Sequence, residues 1–191
     1  MTLKSTIILF LFGVVLSSGF DPLYLNDKDR TSIERAGDFF QIAIPLSGLG
    51  YTYHSNDIVG RKQFWKTYLS SLSLTYLLKY TINKKRPNGD CCESFPSGHT
   101  SAAFAGAMFI NNRYGVKFGI PSILLASFVG YSRVYAKKHY WEDVLSGALI
   151  SVISSMFYTT NRNTNSENIS FFFHPLNNQI LISFKIQWGL Y

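Results

Sequence analysis

The sequence predicts an all-α fold: a helical bundle, membrane-embedded or membrane-associated, with a short β-like C-terminal tail. Three observations carry that expectation. Of 191 residues, 47% are hydrophobic and 15% charged, against roughly 25% charged in an ordinary soluble domain. Five apolar segments succeed one another, most of them shorter than the roughly 18 consecutive apolar residues that mark a membrane span. The tail then changes period, alternating apolar and polar residues from Ile180 to Trp188.

The first element is residues 1–20. It carries one lysine, an apolar run from about Ile7 to Leu16, and the small residues Ser17, Ser18 and Gly19. That is the layout of a secretory signal peptide, with an uncleaved anchor helix as the alternative. Either way, the chain beyond Phe20 is expected to begin outside the cytoplasm.

Residues 21–160 hold the helical domain, with apolar segments at about Asp38–Tyr53, Phe64–Tyr80, Ser101–Asn111, Val116–Tyr131 and Asp143–Tyr158. Ser, Thr and Gly recur in them, as in "TYLSSLSLTYLL", which suits closely packed helices in lipid or in a compact bundle. If every segment spans, Arg86 to His99 and Arg133 to His139 emerge on the outer face. Arg61-Lys62, and Arg113 with Lys117, then lie on the cytoplasmic face, as the positive-inside tendency prefers. Lys84, Lys85, Lys137 and Lys138 break that tendency, and an anion site on the outer face would explain them.

Residues 161–191 form a polar linker, "TTNRNTNSENIS" overlapping its start, and the alternating tail. Alternation is a strand signal, and "PLNN" is a plausible turn between two strands.

The formal charge of +7 favours anionic partners. Nucleic acid would require a basic face on a polar protein, and this chain is too apolar for it, so phospholipid leads. Cys91 and Cys92 are adjacent and have no metal-ligand spacing. Because a vicinal disulfide is a strained ring, two thiols in a loop are the expected state.

Three groups of residues carry chemistry. Lys79 and Arg86-Pro87 stand seven apart, so both cations share a face if the helix persists, while Pro87 biases Arg86 out of the α region. Pro96-Ser97-Gly98-His99 reads as a turn whose backbone N–H groups point at an anion. Ser132-Arg133 precedes His139 and Asp143, which are four apart, so on a helix the carboxylate can accept from imidazole Nδ1 and leave the Nε2 lone pair exposed. Singly, the first group reads as interfacial cations and the third as a structural ion pair.

Jointly they describe a phosphoryl-transfer site. Arg86 and Arg133 offer planar forks matched to phosphate oxygens, Lys79 adds a point charge, and the Ser97 and Gly98 N–H groups resemble an oxyanion hole. No acidic cluster stands beside them to hold a metal, so neither metal nor other cofactor is expected and the cations take over the neutralising role.

In order and spacing, these three motifs resemble the signature of the type 2 phosphatidic acid phosphatase and vanadium haloperoxidase superfamily, and the flanking apolar segments resemble its bacterial lipid-phosphatase branch. The resemblance implies His139 as a nucleophile forming a phosphohistidine, Asp143 as its orienter and His99 as general acid on the leaving oxygen. Lys79, Arg86, Arg133 and the Ser97-Gly98 backbone would hold the phosphate. His54 and His174 match nothing in the signature.

The implied function is metal-independent hydrolysis of a lipid phosphate or diphosphate, of the phosphatidate, phosphatidylglycerophosphate, undecaprenyl diphosphate or lipid A type. The implied place is the bacterial envelope, at the inner membrane with the site facing the periplasm, or periplasmic after signal cleavage. A soluble periplasmic acid phosphatase is the alternative within the superfamily; the haloperoxidases are much longer chains. A non-catalytic envelope protein that binds anionic lipid is the alternative from another class.

Overall fold

The computed structural model describes residues 32–162, 168–176 and 179–187. The signal-peptide or anchor reading of residues 1–20 lies outside the described residues. Among the described residues, five helices and one hairpin run in order: α1 Ser32–His54, α2 Ile58–Ile82, α3 Gly98–Tyr114, α4 Val116–Tyr135, α5 Trp141–Tyr158, β1 Asn168–Leu176 and β2 Gln179–Gln187. Most helices begin earlier than the apolar runs suggest, because their first turns carry the polar residues that cap and charge them.

Helix α3 is the axis of the bundle and packs against the other four helices. Its sequence explains why. Ala103, Ala105 and Ala107 expose 1% of their surface or less, and small side chains let neighbouring backbones approach closely. Gly106 shows how close: a Cβ there would lie 2.6 Å from Cα of Pro45 on α1. Phe64, Tyr68 and Leu72 of α2, Phe109 of α3, and Ala126 and Val129 of α4 complete the core.

The Ser and Thr residues within the apolar segments bond to one another. Ser71 and Thr75 of α2 lie 2.9 and 2.8 Å from the Ser101 hydroxyl of α3, and Ser151 of α5 lies 2.7 Å from Ser71. Hydroxyls buried this way satisfy one another, which removes the cost of taking them out of water. This seam holds α2, α3 and α5 together below the N-terminus of α3.

At the opposite end, Arg113 does not project as a loop charge in the way the positive-inside argument expects. It is buried, and its Nε and Nη2 donate to Asp57 at 2.7 and 2.6 Å. Gly60 N and the Tyr114 hydroxyl donate to the same carboxylate. The fork–fork geometry and the two further donors satisfy a charge pair that burial would otherwise penalise.

Large apolar side chains face outward on several helices, among them Phe39, Leu77, Leu124, Leu145, Leu149 and Phe157, each more than half exposed. No helix among the described residues is long and apolar enough to cross a membrane, because hydroxyls and glycines interrupt each apolar run. In the tail, β1 and β2 pair antiparallel, with Ile169 opposite Ile186 and Phe173 opposite Ile182.

Candidate active site

The chemistry-bearing residues gather where α2 ends, α3 and α5 begin, and α4 gives way to a tight loop. Helix α2 stops at Ile82 because Asn83 adopts the left-handed conformation at its C-cap. Lys79 is therefore in the last helical turn while Arg86 is on the following loop, and the seven-residue spacing is not two turns of one helix. Lys79 is buried, with Nζ 2.6 Å from the carbonyl of Glu93. Burial and the nearby Arg86 charge lower its pKa to about 8. Arg86 Nε is buried without a hydrogen-bond partner among the described residues.

The Pro96-Ser97-Gly98-His99 turn delivers the start of α3. Ser97 is the N-cap, its hydroxyl accepting from Thr100 N. Its backbone N–H is not turned to an anion, as the sequence suggests, but donates to the carbonyl of Asp143 at 2.9 Å. The reason is the approach of α5: a Cβ on Gly147 would lie 2.6 Å from the Ser97 carbonyl, so only glycine permits it. Gly98 and His99 form the first turn of α3, whose N–H groups have no acceptor within the helix.

His139 is on the loop between α4 and α5, not on a helix with Asp143. Lys137 turns that loop in the left-handed conformation, and the N–H groups of Lys138 and His139 both donate to the carbonyl of Arg133. The imidazole Nδ1 lies 2.6 Å from the Ser94 carbonyl and 3.7 Å from Asp143 Oδ2. The direct His139–Asp143 bond expected from the sequence is thus replaced by one through Ser94. Asp143 is otherwise engaged: Oδ2 accepts from the Ser94 hydroxyl and from Tyr140 N, and Oδ1 lies 2.6 Å from Lys84 Nζ.

That arrangement fixes the tautomer. A carbonyl oxygen only accepts, so Nδ1 carries the hydrogen, and in the neutral ring Nε2 holds the lone pair. Burial pushes the His139 pKa down, with the charges of Lys79 and Arg86 adding to it. Asp143 is held well below the ordinary carboxylate range, against burial, by the nearby His139 ring and by its bonds to Lys84, Ser94 and the Tyr140 backbone.

Arg133 reaches across to α1. Its Nη1 lies 2.8 Å from Asp38 Oδ1 and its Nη2 donates to the Glu34 carbonyl at 2.8 Å. His99 Nε2 lies 3.2 Å from the same Asp38 oxygen. Burial lowers the His99 pKa to about 4; Arg133 and His139 also lower it, and Asp38 opposes them. Sequence reasoning does not place Glu34, Asp38, Lys84 or Ser94 in the site. The signal for the first two was present: carboxylates four apart on one face of an otherwise apolar helix need cationic partners.

Cys91 and Cys92 are paired as a vicinal disulfide, not as two thiols. Cys92 has a φ of 93°, a left-handed conformation.

A helical domain that gathers two histidines and three cations at the N-terminus of its central helix defines a class, and the comparisons identify it. The chain belongs to the PAP2 superfamily, whose model matches residues 63–167. It is 31% identical over 135 residues to a lipid A 1-phosphatase of Porphyromonas gingivalis, covering 65% of this chain and 29% of that protein. It is 44% identical over 70 residues to a lipid A 4'-phosphatase of Helicobacter pylori, covering 35% and 34%. The chain thus spans about a third of the length of these two relatives. The crystal structure of Aquifex aeolicus LpxE aligns with a TM-score of 0.52 at 25% identity, covering 68% of this chain and 87% of that one.

Proposed function

We propose that this chain is a metal-independent phosphatase of lipid phosphates or diphosphates working through a phosphohistidine. The observation that carries the proposal is the imidazole of His139, held by its Nδ1–H on Ser94 and kept neutral by burial among Lys79 and Arg86. A neutral ring with its lone pair on Nε2 is what nucleophilic attack on phosphorus requires.

In this reading Lys79, Arg86, Arg133 and the Gly98 end of α3 bind the phosphate oxygens. Ser97 contributes by capping that helix end. His139 Nε2 forms a bond to phosphorus as the bond to the leaving oxygen breaks, and His99 gives that oxygen a proton. Water then attacks the phosphohistidine, passing a proton to His99, and inorganic phosphate leaves. Asp143 holds a carboxylate beside the imidazole as it gains positive charge. The fixed cations neutralise the charge on the transferring group.

The outward apolar residues of α1, α2, α4 and α5 favour a membrane-bound substrate over a soluble one, since contiguous exposed apolar surface marks a lipid or protein contact. We place the protein at the bacterial envelope membrane with this site on the periplasmic side. Phosphatidate, phosphatidylglycerophosphate, undecaprenyl diphosphate and lipid A phosphates form the candidate panel, and the names of the two relatives put lipid A first. Inorganic phosphate release across that panel, with and without chelator, tests the proposal. Binding without release from every member would instead support a lipid-binding role.

A further inference from the structure

Asp38 stands outside the region matched by the family model, which begins at residue 63, yet it touches two site residues through one oxygen. Its Oδ1 lies 2.8 Å from Arg133 Nη1 and 3.2 Å from His99 Nε2. The residue is buried, with 5% of its surface exposed. We propose that Asp38 is the positioning residue of His99, and that it ties the proton on that imidazole to the occupancy of Arg133. This rests on the reading of His99 as general acid.

With Nε2 directed at Asp38, Nδ1 is the nitrogen left to hand a proton to a leaving oxygen. The carboxylate fixes the ring and favours its protonated form, as an opposite charge in contact does. Without a phosphate it also serves Arg133, whose positive charge works against a second cation nearby. A phosphate on the Arg133 fork changes that balance. The arginine's charge is then met by phosphate oxygens and works less against a proton on the imidazole beside Asp38. His99 would thus take up its proton when the substrate that needs it arrives.

The groups facing His99 support this division of labour. Helix α1 supplies Asp38, with Glu34 beyond it, 4.0 Å from Arg133. Helix α4 supplies Arg133, and the loop before α5 supplies His139, both of which oppose protonation of His99. From α2, the Tyr76 hydroxyl lies 3.9 Å from where a Cβ on Gly98 would be, while Lys79 acts on His139. Without substrate, burial and the neighbouring Arg133 and His139 lower the His99 pKa to about 4, too low for an acid at neutral pH. An incoming dianion, with Asp38 behind the ring, supplies the correction.

The test compares wild type, Asp38→Asn, Asp38→Glu and His99→Ala on an alkyl phosphate and on p-nitrophenyl phosphate across pH. Asp38→Asn should lose on the order of 10- to 100-fold in kcat on the alkyl ester, less than loss of the acid itself, and only a few-fold on the phenyl ester. The basic limb of its kcat profile should move to lower pH by about one unit, since the proton is held less tightly. Asp38→Glu should restore part of both effects. Equal losses on the two esters with a raised KM would overturn the inference, because Asp38 would then act only by aligning Arg133. Should Asp38→Asn fail to fold, calorimetry on wild type decides. Sulfate binding in buffers of different ionisation enthalpy should take up a proton near neutral pH, and the uptake should vanish in His99→Ala. Sulfate binding without proton uptake would also overturn the inference. If His99→Ala itself loses equally on both esters, the general-acid reading fails and this inference with it. If His99→Ala discriminates and Asp38→Asn does not, only this inference fails.

Discussion

Lys84 Nζ lies 2.6 Å from Oδ1 of Asp143, a carboxylate with no exposed surface, and 2.7 Å from Glu142. It also stands 4.5 Å from the Tyr140 ring centroid, where a cation is attracted by the aromatic face. Asp143 in turn shares Ser94 with His139, since the Ser94 hydroxyl donates to the carboxylate and its carbonyl accepts from the imidazole. A lysine between the motif positions Lys79 and Arg86 thus acts on the surroundings of His139 through two intermediaries.

Lys84→Met should therefore cost about 1.5–3 kcal/mol of stability, the range for losing a hydrogen bond to a charged group. A carboxylate whose native pKa is depressed contributes stability above its unfolded value near 3.9, and that stability is lost as pH falls through the native value. Removing Lys84 raises the native value of Asp143, so acid unfolding should begin at a higher pH. Chemical denaturation of both proteins between pH 2 and 7 measures this, and Lys84→Arg should restore most of the loss.

The two histidines predict a pH dependence of their own. Both have native pKa values lowered by burial, His99 to about 4. A histidine that binds its proton more weakly when folded costs nothing above its unfolded value of about 6.5 and a growing amount as pH falls below it. Thermal stability should decline between about pH 6.5 and 4, and His99→Gln should flatten the decline. A melting temperature independent of pH across that window in wild type would contradict the burial of both rings.

Much of this arrangement was legible in the sequence. The helical class, the order of the five segments and the eight candidate site residues all rest on local signals: apolar runs, a Pro-Ser-Gly turn, cations and histidines at set spacings. Three details were not. The bond from His139 to Ser94 depends on a loop folding back from residue 94, which no spacing encodes. The Ser97 N–H is taken by Asp143 because Gly147 admits α5 against the turn. Asp38 meets His99 and Arg133 only after α1 packs on α3 and α4, a contact between residues 61 and 95 positions apart.

The proposed metal independence rests on cations taking over the work of neutralisation. Activity should survive excess chelator and be inhibited by orthovanadate, which adopts the trigonal bipyramid of in-line displacement. Phosphate-release rates in chelator, and again after magnesium is added back, check this; dependence on magnesium would count against the site as described.

The Asp57–Arg113 pair offers a control remote from the chemistry, at the other end of α3. Its carboxylate pKa is lowered to about 2, chiefly by Arg113. Arg113→Met leaves that carboxylate buried without its main partner and should cost about 3–5 kcal/mol, the range for breaking a buried pair. The stability that Asp57 contributes is present above its unfolded value near 3.9 and lost as pH falls through about 2. Turnover of a soluble ester by the folded fraction should stay near wild type, so denaturant midpoint and kcat should separate.

The leaving group distinguishes the two histidines most sharply. Under the roles proposed for the two rings, His139→Ala removes the nucleophile, so no phosphoenzyme should form and every ester should fail. His99→Ala removes a proton donor, a loss of roughly 10²–10⁴-fold for an alcohol that leaves badly. An acidic phenol hardly needs that proton, so His99→Ala should recover much of its first step on p-nitrophenyl phosphate. Asp143→Asn should fall between them, because Ser94 still holds the Nδ1–H while the charge beside the ring is lost. Rapid-quench trapping of acid-labile phosphohistidine, with the three variants compared on a lipid phosphate and on the phenyl ester, checks all of this. A phosphoenzyme in His139→Ala, or His99→Ala equally inactive on both esters, would reverse the roles assigned to the rings.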